Sequence, residues 1–243
     1  MGDFLYRAIR LLRYSFAYRC VGQENIQGDG PGIYVANHLD SVGPVEVVLS
    51  VPMRFHPWVV AEMTDPKRAP RYLYDDFVGP IWHLRERFGM AVAAVLSRLT
   101  VGLLLGLGCI PMDLHRRRYM GAFRRSLDLL QAGGNLLIFP EDPQGPLDQA
   151  TRMRPFMAGF LLLCRQYERA AGHQLPLYPV AVHRERRIVA IGTPLFFSPA
   201  GAGRQWREDI LQARDRLQAA VKELYRALEA GKGPAGDQSQ ESR

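Results

Sequence analysis

A chain of 243 residues with 47% hydrophobic and 23% charged side chains has an ordinary globular composition. That excludes wholesale disorder and leaves enough chain to bury a core without disulfide or metal staples. Lys and Arg number 31 against 24 Asp and Glu, and the net charge of +7 favours anionic partners without choosing among lipid, nucleotide and nucleic acid.

At about 100° per residue, Phe4, Leu5, Ala8, Ile9, Leu11, Leu12 and Phe16 share one arc, and Arg7, Arg10 and Arg13 the opposite one. Residues 1–19 are therefore expected to form a basic amphipathic helix, docked on its own domain or lying on an anionic bilayer. The same arginines argue against a cleavable signal. Strands are expected at Ile33-Tyr34-Val35-Ala36, Pro57-Trp58-Val59-Val60-Ala61 and Cys109-Ile110-Pro111-Met112, the last with a proline that suits a strand end or edge. Gly89 to Ile110 is apolar enough to span a membrane, but Arg98 lies near its centre. It reads as a buried helix to about Leu105 followed by a core strand, with a membrane-embedded hairpin as the alternative. Tyr119 to Ala132 has helical spacing and stops at Gly133-Gly134.

Leu136-Leu137-Ile138-Phe139 is a further strand, running into Pro140-Glu141. Phe156 to Ala171 reads as a helix with Gly172 as its stop, and Leu177 to Val182 and Ile188 to Ile191 as strands. The last helix places Trp206, Ile210, Leu217, Val221, Leu224 and Leu228 on one face. Residues 231–243 read as a disordered tail. Strands alternating with helices imply one α/β domain over 20–230.

Common chemistry can be set aside first. Walker A and complete G-x-G-x-x-G motifs are missing, Ser41 has Leu39 where a nucleophile elbow needs Gly, and the histidines have no metal-ligand spacing. Cys20, Cys109 and Cys164 form no C-x-x-C pair and read as buried hydrophobes in a reducing cytosol. The basic residues carry no interleaved aromatic platform and no recognised module, so nucleic acid is not an expected partner. What remains is Asn37-His38-Leu39-Asp40-Ser41 directly after a strand, where an imidazole on a loop can meet a substrate and accept a proton near neutral pH.

Four segments together resemble the lysophospholipid acyltransferase family, typified by 1-acyl-glycerol-3-phosphate acyltransferases. Val35-Ala36-Asn37-His38 is similar to the family's N-H-x-x-x-x-D block, and Gly108-Cys109-Ile110-Pro111-Met112-Asp113 to its G-x-I-x-V-D-R block. Ile138-Phe139-Pro140-Glu141 is similar to the start of its F-P-E-G-T-R-S block, and Leu177-Tyr178-Pro179-Val180-Ala181-Val182 to its closing V-P-V-x-I block. Order and spacing match over roughly residues 20 to 195.

The resemblance implies an α/β fold with a mixed sheet flanked by helices, a glycerolipid-acyltransferase-like domain. It implies transfer of a fatty acyl group from acyl-CoA or acyl-carrier protein to a hydroxyl of a lysophospholipid-like acceptor, with no bound cofactor or metal. His38 takes the role of general base, and Asn37, Glu141, Arg116, Arg117 and Arg154 fall where the acceptor would be held or framed. An anionic membrane surface at the cytoplasmic face is the implied setting. The sequence departs from the pattern at Gly43, where the family's Asp would stand, so Asp40 is the nearest candidate partner for His38 and Glu46 the next. Leu114 replaces the second block's Arg, and Glu141-Asp142-Pro143-Gln144-Gly145 replaces the third block's Gly-Thr-Arg. The departures predict a poor fit to a phosphate-monoester acceptor. They also leave open a non-catalytic lipid-binding relative that has lost the dyad acid.

Overall fold

The structure, a computed structural model, describes residues 17–28, 30–39, 43–113, 119–198 and 204–231. The expected N-terminal helix, Asp40, Leu114, Arg116, Arg117 and the tail beyond 231 lie outside them.

In chain order the elements are β1 (Arg19–Val21), β2 (Ile33–Ala36), α1 (Gly43–Ser50), β3 (Phe55–Val60), α2 (Ala69–Leu73), a π-helical turn (Tyr74–Val78), α3 (Gly79–Trp82) and α4 (Glu86–Leu107). They continue with β4 (Ile110–Met112), α5 (Tyr119–Gln131), β5 (Asn135–Ile138), α6 (Leu162–Ala171), β6 (Pro176–His183), β7 (Ile188–Ile191), β8 (Leu195–Phe196) and α7 (Arg204–Glu229). The described chain divides into two compact units, His56–Arg125 and the flanking residues 17–55 with 126–231.

The flanking unit carries a mixed sheet. β2 pairs in parallel with β5 on one side and β6 on the other, placing Tyr34 opposite Leu137 and Tyr178. β7 pairs antiparallel with β6 and parallel with β1, while β8 closes antiparallel on the start of β6. All four residues of β2 are buried, as a central strand covered on both faces requires. Alternation sends Tyr34, Ala36, Tyr178, Val180 and Val182 to one face, where they meet Val47 and Val51 of α1 and its C-terminal end. Tyr34 stacks on Tyr178 with centroids 4.6 Å apart and meets Phe55 edge-on at 5.0 Å. The other face receives α7, whose Leu224 sits beside Pro179 and Gly192 and whose Tyr225 stacks on His183.

The unit His56–Arg125 contains the parallel pair β3–β4, with Pro111 opposite Val59. Among the described strand pairings β4 has no second partner, which Pro111 tolerates. α4 ends as a Schellman motif: Gly108 is left-handed at φ 72, Cys109 N–H donates to Leu104 and Gly108 N–H to Leu105. Its inner face is built of small residues, Gly89, Ala93 and Ser97, so that the Tyr74 ring can lie where a Cβ on Gly89 would clash at 2.5 Å.

Two expectations need correction. The segment 89–105 is not a buried helix: one face is buried, and Phe88, Val95, Leu99, Leu103 and Leu105 on α4 are exposed. The helix expected from Phe156 begins only at Leu162, after a short 3-10 turn at Gly159–Leu161, because the backbone from 154 to 157 is committed to hydrogen bonds with other segments.

Candidate active site

In an open α/β sheet, loops at the carboxyl ends of parallel strands gather at one edge and form the usual place for a ligand. β2 and β5 end together, Val35 opposite Ile138, and deliver Asn37-His38 and Phe139-Pro140-Glu141 to that edge. Asn37 is fully buried. Its amide oxygen accepts from Val182 N–H at 2.8 Å and its amide nitrogen donates to Val182 C=O at 3.1 Å. The side chain thus continues the β2–β6 ladder one residue past the strand, where the main chain must turn away. Both main-chain groups of Val182 stay satisfied, and the direction of the next residue is fixed.

That next residue, His38, is exposed. Its backbone N–H donates to Glu141 Oε1 at 2.7 Å, and its ring meets Phe139 edge-on with centroids 5.4 Å apart. Leu39 follows at φ 36, a left-handed conformation that a branched side chain adopts only under constraint. The imidazole is therefore carried by a taut turn rather than a loose loop.

Glu141 joins three segments. While Oε1 takes the His38 N–H, Oε2 accepts from Arg154 N–H at 2.9 Å. Residue 141 also bridges Phe156 in antiparallel fashion, with Asp142 N–H donating to Pro155 and Met157 N–H to Pro140. From α7, Gln218 clamps the same segment: its Oε1 accepts from Phe156 N–H at 3.1 Å and its Nε2 donates to Arg154 C=O at 3.1 Å. The loop between is anchored by Asp148, which pairs with Lys222 Nζ at 2.6 Å and accepts from Ala150 N–H. The Lys222 hydrogen bond draws the Asp148 carboxyl down to about 2.

The structure thus brings together Asn37, His38, Glu141 and Arg154, the described members of the expected site. The Asn37 amide and the Glu141 carboxylate are spent on backbone groups. The Arg154 guanidinium turns back to donate to Gly145 C=O within its own loop. Asp142 accepts from Gln144 N–H, forming a local turn.

No described carboxylate hydrogen-bonds the His38 ring. Glu46, the second candidate, is buried on α1 and holds the Tyr18 hydroxyl. Burial first, and then this bond, push that phenol up to about 12. Among the described residues no group of three or more His, Cys, Asp or Glu could hold a metal.

Gln218 was not legible as a site residue. The available signal was a polar side chain three residues before Val221 and seven before Tyr225, inside the buried arc of an otherwise amphipathic helix.

A mixed α/β sheet with an exposed histidine at the ends of its central strands is the architecture on which the comparisons bear. No family model matches the sequence, and no curated protein matches it. Among solved structures the chain resembles the 1-acyl-sn-glycerophosphate (LPA) acyltransferase PlsC from Thermotoga maritima. The TM-score is 0.57 at 15% identity, over 94% of this chain and 81% of that one. The likeness shows that this chain shares the α/β fold of that protein.

Proposed function

We propose that the protein is an acyltransferase that moves a fatty acyl group from acyl-CoA or acyl-carrier protein to a hydroxyl of a lysophospholipid-like acceptor. One observation carries the reading. Three of the four segments that resemble the acyltransferase blocks are tied together by side chains, His38 to Glu141 across 103 positions and Asn37 to Val182 across 145. The resemblance rested on order and spacing, and nothing in it required these contacts. The fold shared with a glycerophosphate acyltransferase supports the same reading.

In the proposed reaction the acceptor hydroxyl gives its proton to an imidazole nitrogen of His38 as its oxygen attacks the thioester carbonyl. The tetrahedral intermediate collapses with loss of the thiolate, which takes the proton back from the imidazolium. Ester and free thiol leave, and His38 is regenerated. A positioned base is worth roughly 10²–10⁴ in rate. Asn37, Glu141 and Phe139 act on that base by fixing its backbone and ring. Asp40 is the proposed carboxylate partner, and Arg116 and Arg117 the proposed phosphate contacts.

The acceptor is proposed to be zwitterionic, glycosylated or neutral rather than a phosphate monoester, because Arg154 is turned into its own loop and Asp142 adds a carboxylate in that same loop. The setting is proposed to be the cytoplasmic face of an anionic membrane. Purified protein with labelled acyl-CoA and a panel of lysolipids and polyols, read by mass spectrometry, tests both parts. Acylation of no acceptor overturns the enzymatic reading in favour of a lipid-binding relative, which the missing described partner for the His38 ring would explain. Lysophosphatidic acid as best acceptor by tenfold overturns the specificity.

A further inference from the structure

We propose that the outward face of α4 docks flat on an anionic membrane surface and is the protein's principal lipid contact. The proposal deepens the membrane setting named above by assigning it a surface. Of the thirteen large apolar side chains exposed among the described residues, six lie between Trp82 and Leu105. Four of them, Phe88, Val95, Leu99 and Leu103, recur at helical spacing on one side of α4, with Phe88 65% and Leu99 63% exposed. The opposite side carries Gly89, Ala93, Ser97 and Val101 and is buried on its own unit. An exposed stripe of this length, on a helix whose most apolar 18-residue window has a mean hydropathy of 2.0, is far more than scattered surface leucines would make.

The rim of the stripe identifies the occupant. Arg87 and Arg98 lie along one side of it and Arg85 at its N-terminal end, all exposed, and none has a carboxylate partner among the described residues. Of the acidic groups of the same unit, Glu62 pairs with Arg68, Asp75 and Glu86 with Arg71, Asp76 accepts from the Tyr72 hydroxyl and Asp65 from Lys67 N–H, while Asp113 is buried. An apolar strip edged by unpaired guanidinium groups complements acyl chains bordered by phosphates, with the arginine stems lying along the apolar layer and their heads among the headgroups. A protein partner would need carboxylates placed along one side and at the end of a flat apolar ridge; an anionic bilayer presents phosphates around its acyl layer everywhere. Spanning the bilayer is excluded by the same geometry, since it would strip the inner face from its own unit and carry Arg98 to mid-membrane.

The test uses the full chain and vesicles of phosphatidylcholine alone or with phosphatidylglycerol. Phe88→Glu with Leu99→Glu should lower partition onto the mixed vesicles at least tenfold at unchanged melting temperature, and Arg85→Gln, Arg87→Gln and Arg98→Gln together should abolish the preference for anionic over neutral vesicles. A fluorophore at Leu99→Cys in a Cys20→Ser background (Cys109 and Cys164 being buried) should become apolar in its spectrum only when vesicles are added.

Binding unchanged in the glutamate variant overturns the proposal. So does a probe already shielded without lipid, which would mean that the chain's own segment covers the face. A dimer that the glutamate variant dissociates, with vesicle binding intact, would give the face to a second copy. Vesicle partition is read without turnover. Lost binding with retained acylation of detergent-dispersed acceptor supports the surface, and intact binding with no acylation counts only against the chemistry.

Discussion

The strand-end site and the outward face of α4 solve opposite problems. At the site, each side chain that frames His38 is committed to a named backbone group: Asn37 to Val182, Glu141 to His38 and Arg154, Gln218 to Arg154 and Phe156. On α4 the apolar side chains have no cover, and the cations beside them have no described partner. Polar groups are saturated where geometry must be held to fractions of an ångström. Apolar groups are left open where a deformable partner completes the structure. Substitutions in the first region should therefore change stability or turnover, while substitutions on α4 should change neither and alter only where the protein sits.

The largest effect belongs to the proposed base. His38→Ala is expected to lower acyl transfer by roughly 10²–10⁴ without moving the melting temperature, because the exposed ring contributes little packing. Activity within a few-fold of the parent would show that the pinned turn serves something other than proton transfer.

Asn37→Leu separates framing from chemistry. The replacement is similar in size, yet it leaves the Val182 N–H and C=O unpaired beside a fully buried position. Each orphaned group costs about 1–3 kcal/mol. Thermal unfolding should register the loss, with turnover falling as well. A variant of parental stability would mean that water or a neighbour takes over the ladder and that Asn37 is dispensable to the turn.

Much of this was legible locally. β2, β5, β6 and β7 were apparent as short apolar runs, and Gly133 and Gly172 as helix stops, because strand burial and left-handed caps are written in adjacent residues. α1 was missed: Gly-Pro-Val-Glu-Val-Val-Leu-Ser is rich in β-branched residues, and burial of Val47 and Val51 overrides their weak helix propensity. β1 and β8, three and two residues long, carry too little pattern to register. In the site, His38 and Glu141 could be picked out by resemblance. Their contact could not be derived from the sequence alone, and neither could the clamp by Gln218, which joins α7 to a loop 62 and 64 residues away.

A smaller effect is expected from Glu141→Gln. The amide can accept one of the two backbone N–H groups but must aim its own NH₂ toward the other, so either His38 or Arg154 loses its partner. A shift of the His38 turn by a fraction of an ångström should cost about 10- to 100-fold in kcat, with KM little changed. A variant with parental kcat and raised KM would place Glu141 on the acceptor rather than beneath the proposed base.

The smallest effect tests the edge of the pinned region. Asp148 is held down at about 2, from an ordinary 3.8, chiefly by the hydrogen bond from Lys222. A depressed carboxyl adds stability that is present in full above about pH 4 and lost as the pH falls toward 2. Because both side chains remain partly in water, the pair is worth at most about 1 kcal/mol. Lys222→Met should therefore lower the melting temperature by roughly 2–4 °C at pH 7. The gap should close as both proteins are titrated from pH 4 down to about 2, because protonation of Asp148 removes from the parent what the substitution removed from the variant. A gap that persists undiminished at the acid end would mean that Lys222 stabilises through its buried methylene stem, and that the loop from 142 to 153 is fastened by packing rather than by charge.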